Sequence, residues 1–275
     1  MSSWSVYKQE IASLYSRRST SYDDSDWHAQ MARQLVDFLN IKPDAQVLDV
    51  ATGTGLVAFY VASKLGVGGT VLGVDISEGM LAQAREKLRT VPSAAVRFEW
   101  GDAESLEYAQ GRFDVILCCS ALIWMSDLPG VLRHWWSLLA PGGVIGFNAF
   151  SEQAFVIGVT AQAALKSLGV DYRMSQPTGS VGKCRHLLEA AGFQDVQVQV
   201  VPGGNYIGLD EAKSAWVTDA HPAPGQFPHP LTNLTAEQLA VARADYERRL
   251  EQLNTPGGLW NDTTTFYVYG TKPWA

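Results

Sequence analysis

The chain has few cysteines, and their arrangement excludes two common roles. Its 275 residues include three cysteines, and two of them, Cys118 and Cys119, are adjacent within an apolar segment. The third, Cys184, lies far along the chain. An odd count with this spacing matches neither a disulfide framework nor a zinc site. We therefore expect small core residues in a reducing, cytoplasmic compartment.

Basic runs and long apolar runs are also missing. The 21 lysines and arginines stand against 28 acidic residues, for a net charge of -7, so a nucleic-acid partner is not expected. The longest apolar runs, near residues 115–125 and 154–165, are far shorter than the roughly 20 residues that cross a bilayer. The first eight residues lack the pattern of a secretory signal. We expect a protein without a membrane span.

Short apolar strands alternate with helical patterns between residues 46 and 150. Such alternation predicts an α/β, doubly wound fold with a mostly parallel sheet and helices on both faces. The predicted strands are 47–50, 70–75, 95–100, 113–119 and 144–149, and the predicted helices are 55–65, 78–89 and 127–139.

The flanking regions have a different organisation. Two helices are predicted within residues 1–40, and the last two strands are predicted at 193–201 and 263–269. An insertion, 202–262, separates those strands and contains a predicted helix at 235–253. We predict a main domain formed by 45–201 with 263–275, and a cap formed by the insertion over the substrate site.

A glycine-rich turn follows the first predicted strand. Gly53, Gly55 and Ala58 give the pattern G-x-G-x-x-A, which permits close approach of a ligand to the backbone. Asp49 ends the strand four residues before Gly53. A carboxylate here would repel the pyrophosphate of a dinucleotide. It would attract a ligand that carries ammonium and sulfonium groups.

This stretch resembles motif I of the class I S-adenosyl-L-methionine (SAM)-dependent methyltransferases, through Asp49-Val50-Ala51-Thr52-Gly53-Thr54-Gly55. The similarity extends over residues 45–150, including Gly101-Asp102-Ala103 and the Pro141-Gly142-Gly143 turn. It implies a Rossmann-like methyltransferase fold of seven strands, with SAM as cofactor and S-adenosyl-L-homocysteine (SAH) as product. In that family the last two strands form a hairpin, which the insertion would divide here.

The resemblance also implies which residues hold the cofactor, because ligands of open parallel sheets bind beyond the carboxyl ends of the strands. Asp49 and its turn would face the methionine end, Asp75 the ribose hydroxyls, and Asp102 the adenine amino group. The expected cofactor-binding residues are Tyr15, Tyr22, Asp49, Ala51, Thr52, Gly53, Gly55, Asp75, Ile76, Met80, Gly101, Asp102, Ala103 and Ser120.

The acceptor side is predicted from fewer residues. Tyr15 and Tyr22 resemble tyrosines of the ubiquinone/menaquinone-biosynthesis-like branch, where an N-terminal segment closes over SAM; residues 1–44 would be such a lid. We expect Trp27, Trp124 and Tyr206 to bind the acceptor. The chain shows no metal-binding arrangement like that of catechol-type enzymes, so no metal is expected. These features favour a small, partly apolar acceptor.

Methyl transfer is an in-line displacement, for which alignment and exclusion of water come first. A base is required only when the acceptor must lose a proton. His28 is the first candidate for that base, with Tyr22 beside it. His134 and His186 lie on predicted helices, where packed or solvated histidines are common, and His221 and His229 lie in the insertion.

Three functions remain open from the sequence. The leading hypothesis is a SAM-dependent methyltransferase of specialised metabolism. It would modify an O, N or C atom of a small molecule, as a monomer or homodimer. An NAD-dependent oxidoreductase would share the glycine turn and Asp75, whereas Asp49 and Gly101-Asp102-Ala103 argue against it. A SAM-binding cyclase or regulatory protein would need the same cofactor pocket without methyl transfer.

Overall fold

The computed structural model describes residues 5–91, 93, 95–170, 177–216 and 234–274. The histidines at 221 and 229, which the sequence analysis named, lie outside these ranges. Among the residues described, no helix is long and apolar enough to cross a membrane.

The helices and strands alternate through the first half of the chain as predicted. The helices are α1 Val6–Arg18, α2 Asp26–Asp37, α3 Leu56–Ala62, α4 Glu78–Thr90, α5 Leu128–Leu138, α6 Val156–Lys166, α7 Val181–Ala190, α8 Leu209–Ser214 and α9 Ala236–Leu253. The strands are β1 Gln46–Val50, β2 Thr70–Asp75, β3 Val96–Trp100, β4 Phe113–Cys118, β5 Leu139–Phe150, β6 Gln194–Val201, β7 Gly204–Ile207, β8 Leu259–Asp262 and β9 Thr265–Thr271.

Strand β5 is longer than the sequence predicted. It starts at Leu139, five residues before the predicted start, and includes the glycines expected to form a turn. Phe113 pairs with Leu139, whereas Val115 already pairs with Val144, so the register shifts between them. A bulge of this kind accommodates extra residues within a continuous strand.

Seven strands form one sheet in the order β3-β2-β1-β4-β5-β9-β6. Strand β1 pairs in parallel with β2 on one side and β4 on the other. The predicted mostly parallel, seven-stranded sheet is therefore confirmed. The strand order reverses at β1, and the crevice beside such a reversal is where open α/β sheets bind their ligands.

The chain divides into two compact units. The first contains residues 1–148, 185–199 and 267–275, and the second contains 149–184 and 200–266. The insertion 202–262 thus shares a unit with residues 149–184, which the sequence analysis had placed in the main domain. In this second unit β7 and β8 pair antiparallel. Its buried core comprises Ala161, Ala164, Ala212, Tyr246, Leu250 and Leu259.

Strand β9 anchors α2 in the first unit. The Tyr267 hydroxyl donates to Gln34 Oε1 at 2.6 Å, and the Tyr269 hydroxyl donates to the Leu35 carbonyl at 2.8 Å. Leu35 itself is fully buried. These contacts fix the segment that leads from the N-terminal residues into β1.

Removing a core side chain of α5 tests the packing of the first unit. Leu132 is fully buried, so Leu132→Ala should lower the free energy of unfolding by about 2–5 kcal/mol. Val67 is fully exposed, so Val67→Ala should change it by less than about 0.5 kcal/mol. Urea denaturation followed by circular dichroism measures both, and equal midpoints would contradict this packing.

Candidate cofactor and acceptor site

Two adjoining cavities open in the first unit beside the carboxyl ends of β1, β2 and β4. The main cavity spans about 750 Å³, part of it open to solvent, and the side cavity spans about 360 Å³. The two share the lining residues Tyr22, Ala51, Gly53, Cys119 and Ser120.

Most residues that the sequence analysis selected line one of these cavities. His28, Asp49 and Thr52 line the side cavity. The main cavity is lined by Tyr15, Tyr22, Ala51, Gly53, Asp75, Ile76, Met80, Gly101, Asp102, Ala103, Ser120 and Trp124. Residues far apart in the sequence thus meet at one edge of the sheet, as the parallel topology requires.

Three selected residues line neither cavity. Gly55 has φ +86°, and a Cβ there would lie 2.8 Å from Phe98, so this glycine serves the turn and its packing. Trp27 is about one-third exposed and packs edge-on against His28. Tyr206 is on β7 in the second unit, is 59% exposed, and pairs across the strands with Trp260.

The Asp49 carboxylate is buried and only half satisfied. Its Oδ2 accepts hydrogen bonds from Thr52 Oγ1 at 2.5 Å and from the Ala58 amide at 3.1 Å. Its Oδ1 is buried and has no hydrogen-bond partner among the residues described. Burial raises the pKa of Asp49 to about 7. A bound cationic donor would satisfy the free oxygen.

The turn after Asp49 contains backbone conformations with positive φ, which residues other than glycine seldom adopt. Ala51 has φ +54° and Gly53 has φ +57°. Ala51 is a non-glycine residue in the left-handed region, a conformation that costs energy and is enriched at functional sites. The Thr52 amide donates to the Val74 carbonyl at 3.0 Å, which holds the turn against β2.

Asp75 joins this turn to the end of β2. Its Oδ2 accepts from the Gly53 amide, and its Oδ1 from the Ser77 amide, both at 2.8 Å. Burial raises the pKa of Asp75 above its usual value. Ile76 and Met80 line the cavity beside it; Met80 is also almost fully buried and belongs to the core.

The loop after β3 carries an ion pair that the sequence analysis missed. Lys8 Nζ lies 2.5 Å from Asp102 Oδ2 and 3.5 Å from Glu104 Oε1. Lys8 comes from α1 and lines the main cavity, as do Tyr7 and Ile11. Tyr7, Ile11 and Tyr15 recur every four residues, so they share one helical face. That spacing could have identified α1 as a cavity wall.

A second missed residue, Asn148, holds the end of β4. Its Oδ1 accepts from the Ser120 amide at 2.6 Å, and its Nδ2 lies 3.2 Å from Ser120 Oγ. Ser120 has φ +58°, so this side chain stabilises an unfavourable backbone conformation. Asn148 is buried on β5, 28 residues after Ser120, and no local motif marks it.

Aromatic side chains of α1 and of the segment after β4 are hydrogen-bonded to each other. Trp124 Nε1 donates to the Tyr15 hydroxyl at 2.9 Å. The Tyr7 hydroxyl donates to the Trp124 carbonyl at 3.4 Å. Burial raises the pKa of both tyrosines, so both phenols stay protonated near neutral pH.

The segment between α1 and α2 is bound to the glycine-rich turn through Asp23. Its Oδ1 accepts from Thr54 Oγ1 at 2.8 Å, and its Oδ2 lies 2.6 Å from Lys87 Nζ. Lys87 also donates to the Thr54 carbonyl at 3.0 Å. Asp23 therefore has a structural role next to Tyr22.

His28 stacks on Tyr22, with ring centroids 4.0 Å apart and planes 24° apart. Burial, followed by the charge of Arg18, lowers the pKa of His28, so the imidazole is neutral near pH 7. Its Nδ1 is buried and has no hydrogen-bond partner within the part of the chain that the structure describes. Burial raises the pKa of Tyr22, which makes that phenol a hydrogen-bond donor rather than a base near neutrality.

The side chains that line the cavities suit SAM. The free oxygen of Asp49 suits the ammonium and attracts positive charge, Asp75 can accept from ribose hydroxyls, and Asp102 can accept from the adenine amino group. Ile76 and Met80 provide an apolar surface for the adenine ring. Among the residues described, no cluster of side chains could hold a metal ion.

Comparisons with known proteins agree with this chemistry. Residues 47–143 match the family model of a methyltransferase domain. Nocamycin O-methyltransferase of Saccharothrix syringae is 29% identical over 202 residues, which cover 67% of this chain and 72% of that protein. Phosphoethanolamine N-methyltransferase 1 of Triticum aestivum is 32% identical over 61% of this chain, and the match spans only 32% of that longer protein.

A solved structure shares the fold. Phosphoethanolamine N-methyltransferase 2 of Haemonchus contortus, in complex with phosphomonomethylethanolamine and SAH, superposes with a TM-score of 0.54 at 17% identity. The superposition covers 90% of this chain and 52% of that one.

The motif I resemblance is thereby confirmed, and the oxidoreductase alternative is not favoured, whereas the ubiquinone-like branch stays a prediction. Residues 47–143 thus match a methyltransferase domain, and the chain is similar to SAM-dependent methyltransferases in sequence and in fold.

Proposed function

We propose that the chain transfers the methyl group of SAM to an O, N or C atom of a small, partly apolar metabolite. The observation that carries this proposal is the meeting of Asp49, Asp75 and Asp102 around two adjoining cavities. Among the described residues, one buried oxygen of Asp49 has no hydrogen-bond partner. The nocamycin enzyme supports a specialised metabolite as acceptor, and an oxygen as the methylated atom.

SAM supplies an electrophilic methyl group when it is bound. Asp75 and Asp102 hold the nucleoside end, and Asp49 holds the amino-acid end. Ile11, Ala121 and Met125 give the rest of the main cavity an apolar wall that excludes water and aligns the acceptor. Because burial raises the pKa of Cys119 to about 12, its thiol stays protonated and does not compete for the methyl group.

Neither residue that the sequence analysis proposed as the base has the properties of a strong general base in the main cavity. Tyr22 lines that cavity as a protonated phenol, and His28 lines the side cavity. An acceptor that ionises readily needs only alignment and desolvation. The assignment of His28 and Tyr22 as catalytic residues stays a prediction.

The proposal also includes predictions about the lid, the cap, the acceptor contacts, the partner and the oligomeric state. Residues 1–44 would act as a lid, residues 202–262 as a cap, and Trp27 and Tyr206 as acceptor contacts. The net charge of -7 supports a partner other than nucleic acid. We propose a cytoplasmic monomer or homodimer.

Calorimetric titration with SAM, SAH and NADH tests the cofactor. We expect micromolar or tighter binding of SAM and SAH only. Incubation with labelled SAM and a metabolite extract then tests transfer and identifies the product. NADH binding without SAM binding would favour an oxidoreductase. SAM binding without any labelled product would favour a cyclase or regulatory protein.

Asp75→Ala should weaken SAH binding tenfold or more, because hydrogen bonds to charged groups contribute about 1.5–3 kcal/mol each. His134→Ala is the control: His134 Nε2 lies 3.0 Å from the Leu106 carbonyl and lines neither cavity, so its loss should change affinity less than about threefold. Calorimetry measures both, and thermal melts check folding. Equal losses of SAH affinity in the two variants would contradict the placement of Asp75 in the cofactor site.

The raised pKa of Asp49, about 7, predicts proton release when SAH binds. In the protein without SAH, the Asp49 carboxyl is largely protonated below pH 7 and ionised above it. An ammonium bound beside Asp49 lowers the pKa of that carboxyl. SAH affinity should therefore rise between pH 6 and 8. Calorimetry in buffers of different ionisation enthalpy measures the released protons. Asp49→Asn should abolish the proton release that comes from Asp49. Equal numbers of protons released by the wild type and the variant would contradict the placement of Asp49 beside the ammonium.

A further inference from the structure

Two buried polar side-chain atoms have no hydrogen-bond partner among the described residues, and they belong to His28 and Asp49. The atoms are His28 Nδ1 and Asp49 Oδ1, and both residues line the side cavity. Leaving a buried polar group unsatisfied costs about 1–3 kcal/mol, and such groups are rare in folded proteins. A ligand bound in this cavity would satisfy them.

Both unpartnered atoms accept hydrogen bonds. Asp49 Oδ1 belongs to a carboxyl whose other oxygen already accepts two bonds, from Thr52 and Ala58. Burial lowers the pKa of His28, which favours the neutral ring. A neutral imidazole carries one ring proton, and the tautomer with that proton on Nε2 leaves Nδ1 as an acceptor.

A ligand that satisfies two acceptors next to a carboxylate should bring several N–H donors and a positive charge. An ammonium group has three donors and no acceptor. The side cavity adjoins the glycine-rich turn through Ala51 and Gly53. SAM and SAH each carry one ammonium, at the amino-acid end that this turn is expected to hold.

We propose that His28 Nδ1 and Asp49 Oδ1 together accept the α-ammonium of SAM, so that His28 binds the cofactor instead of acting as the general base. This inference rests on the proposed function. Stacking on Tyr22 holds the imidazole in place. Asp23, which binds Thr54 and Lys87, ties the same segment to the turn.

The test compares SAH with 5′-methylthioadenosine, a nucleoside thioether that lacks the amino-acid end. His28→Phe keeps a ring for stacking and removes Nδ1. His28→Asn places an amide oxygen near the position of Nδ1. His186→Gln, on the exposed surface of α7, is the matched control. Calorimetry gives the affinity of each protein for both ligands.

We expect His28→Phe to weaken SAH binding tenfold or more while its affinity for 5′-methylthioadenosine changes less than twofold. His28→Asn should recover most of the SAH affinity, and His186→Gln should match the wild type. Unchanged SAH affinity in His28→Phe would overturn the proposal. Parallel loss of both ligands would also overturn it, since His28 would then support only the fold. Wild-type protein that binds no SAH would instead contradict the proposed function itself.

Discussion

The burial of one carboxylate, Asp49 at the end of β1, is the constraint on which the site depends. The parallel sheet places this side chain away from water, and burial raises its pKa to about 7. Thr52 and Ala58 satisfy one oxygen, and the other has no partner among the described residues. A half-satisfied carboxyl in a protein core lowers stability, and a bound cationic group would restore it. The strained turn at Ala51 lines the same cavities.

The rest of the cavity wall comes from segments on either side of the motif. Helix α1 contributes Lys8, which pairs with Asp102, and Tyr15, which accepts from Trp124. Asp23 fastens the following segment to Thr54. Asp102 is also the carboxylate that would meet adenine, and the turn that contains Thr54 would meet the methionine end of SAM. The position of α1 and cofactor binding are therefore physically linked.

The chemistry assigned to the site is mainly positioning and desolvation. The tyrosines around the cavity are partly or fully buried and are protonated, and the Cys119 thiol is protonated as well. Such groups donate hydrogen bonds or fill space without competing for a methyl group. This suits a reaction in which the cofactor carries the reactive group and the protein aligns its partner.

The sequence by itself determined the alternation of strands and helices, the glycine-rich turn, and the acids after β1, β2 and β3, because these depend on local periodicity and spacing. Only the tertiary structure decided which other residues complete the site. Lys8 meets Asp102 across 94 residues, and Asn148 supports Ser120 across 28. Neither contact leaves a local pattern. His28 Nδ1 and Asp49 Oδ1, unpartnered among the described residues, are likewise a consequence of burial, which no local pattern of the sequence shows.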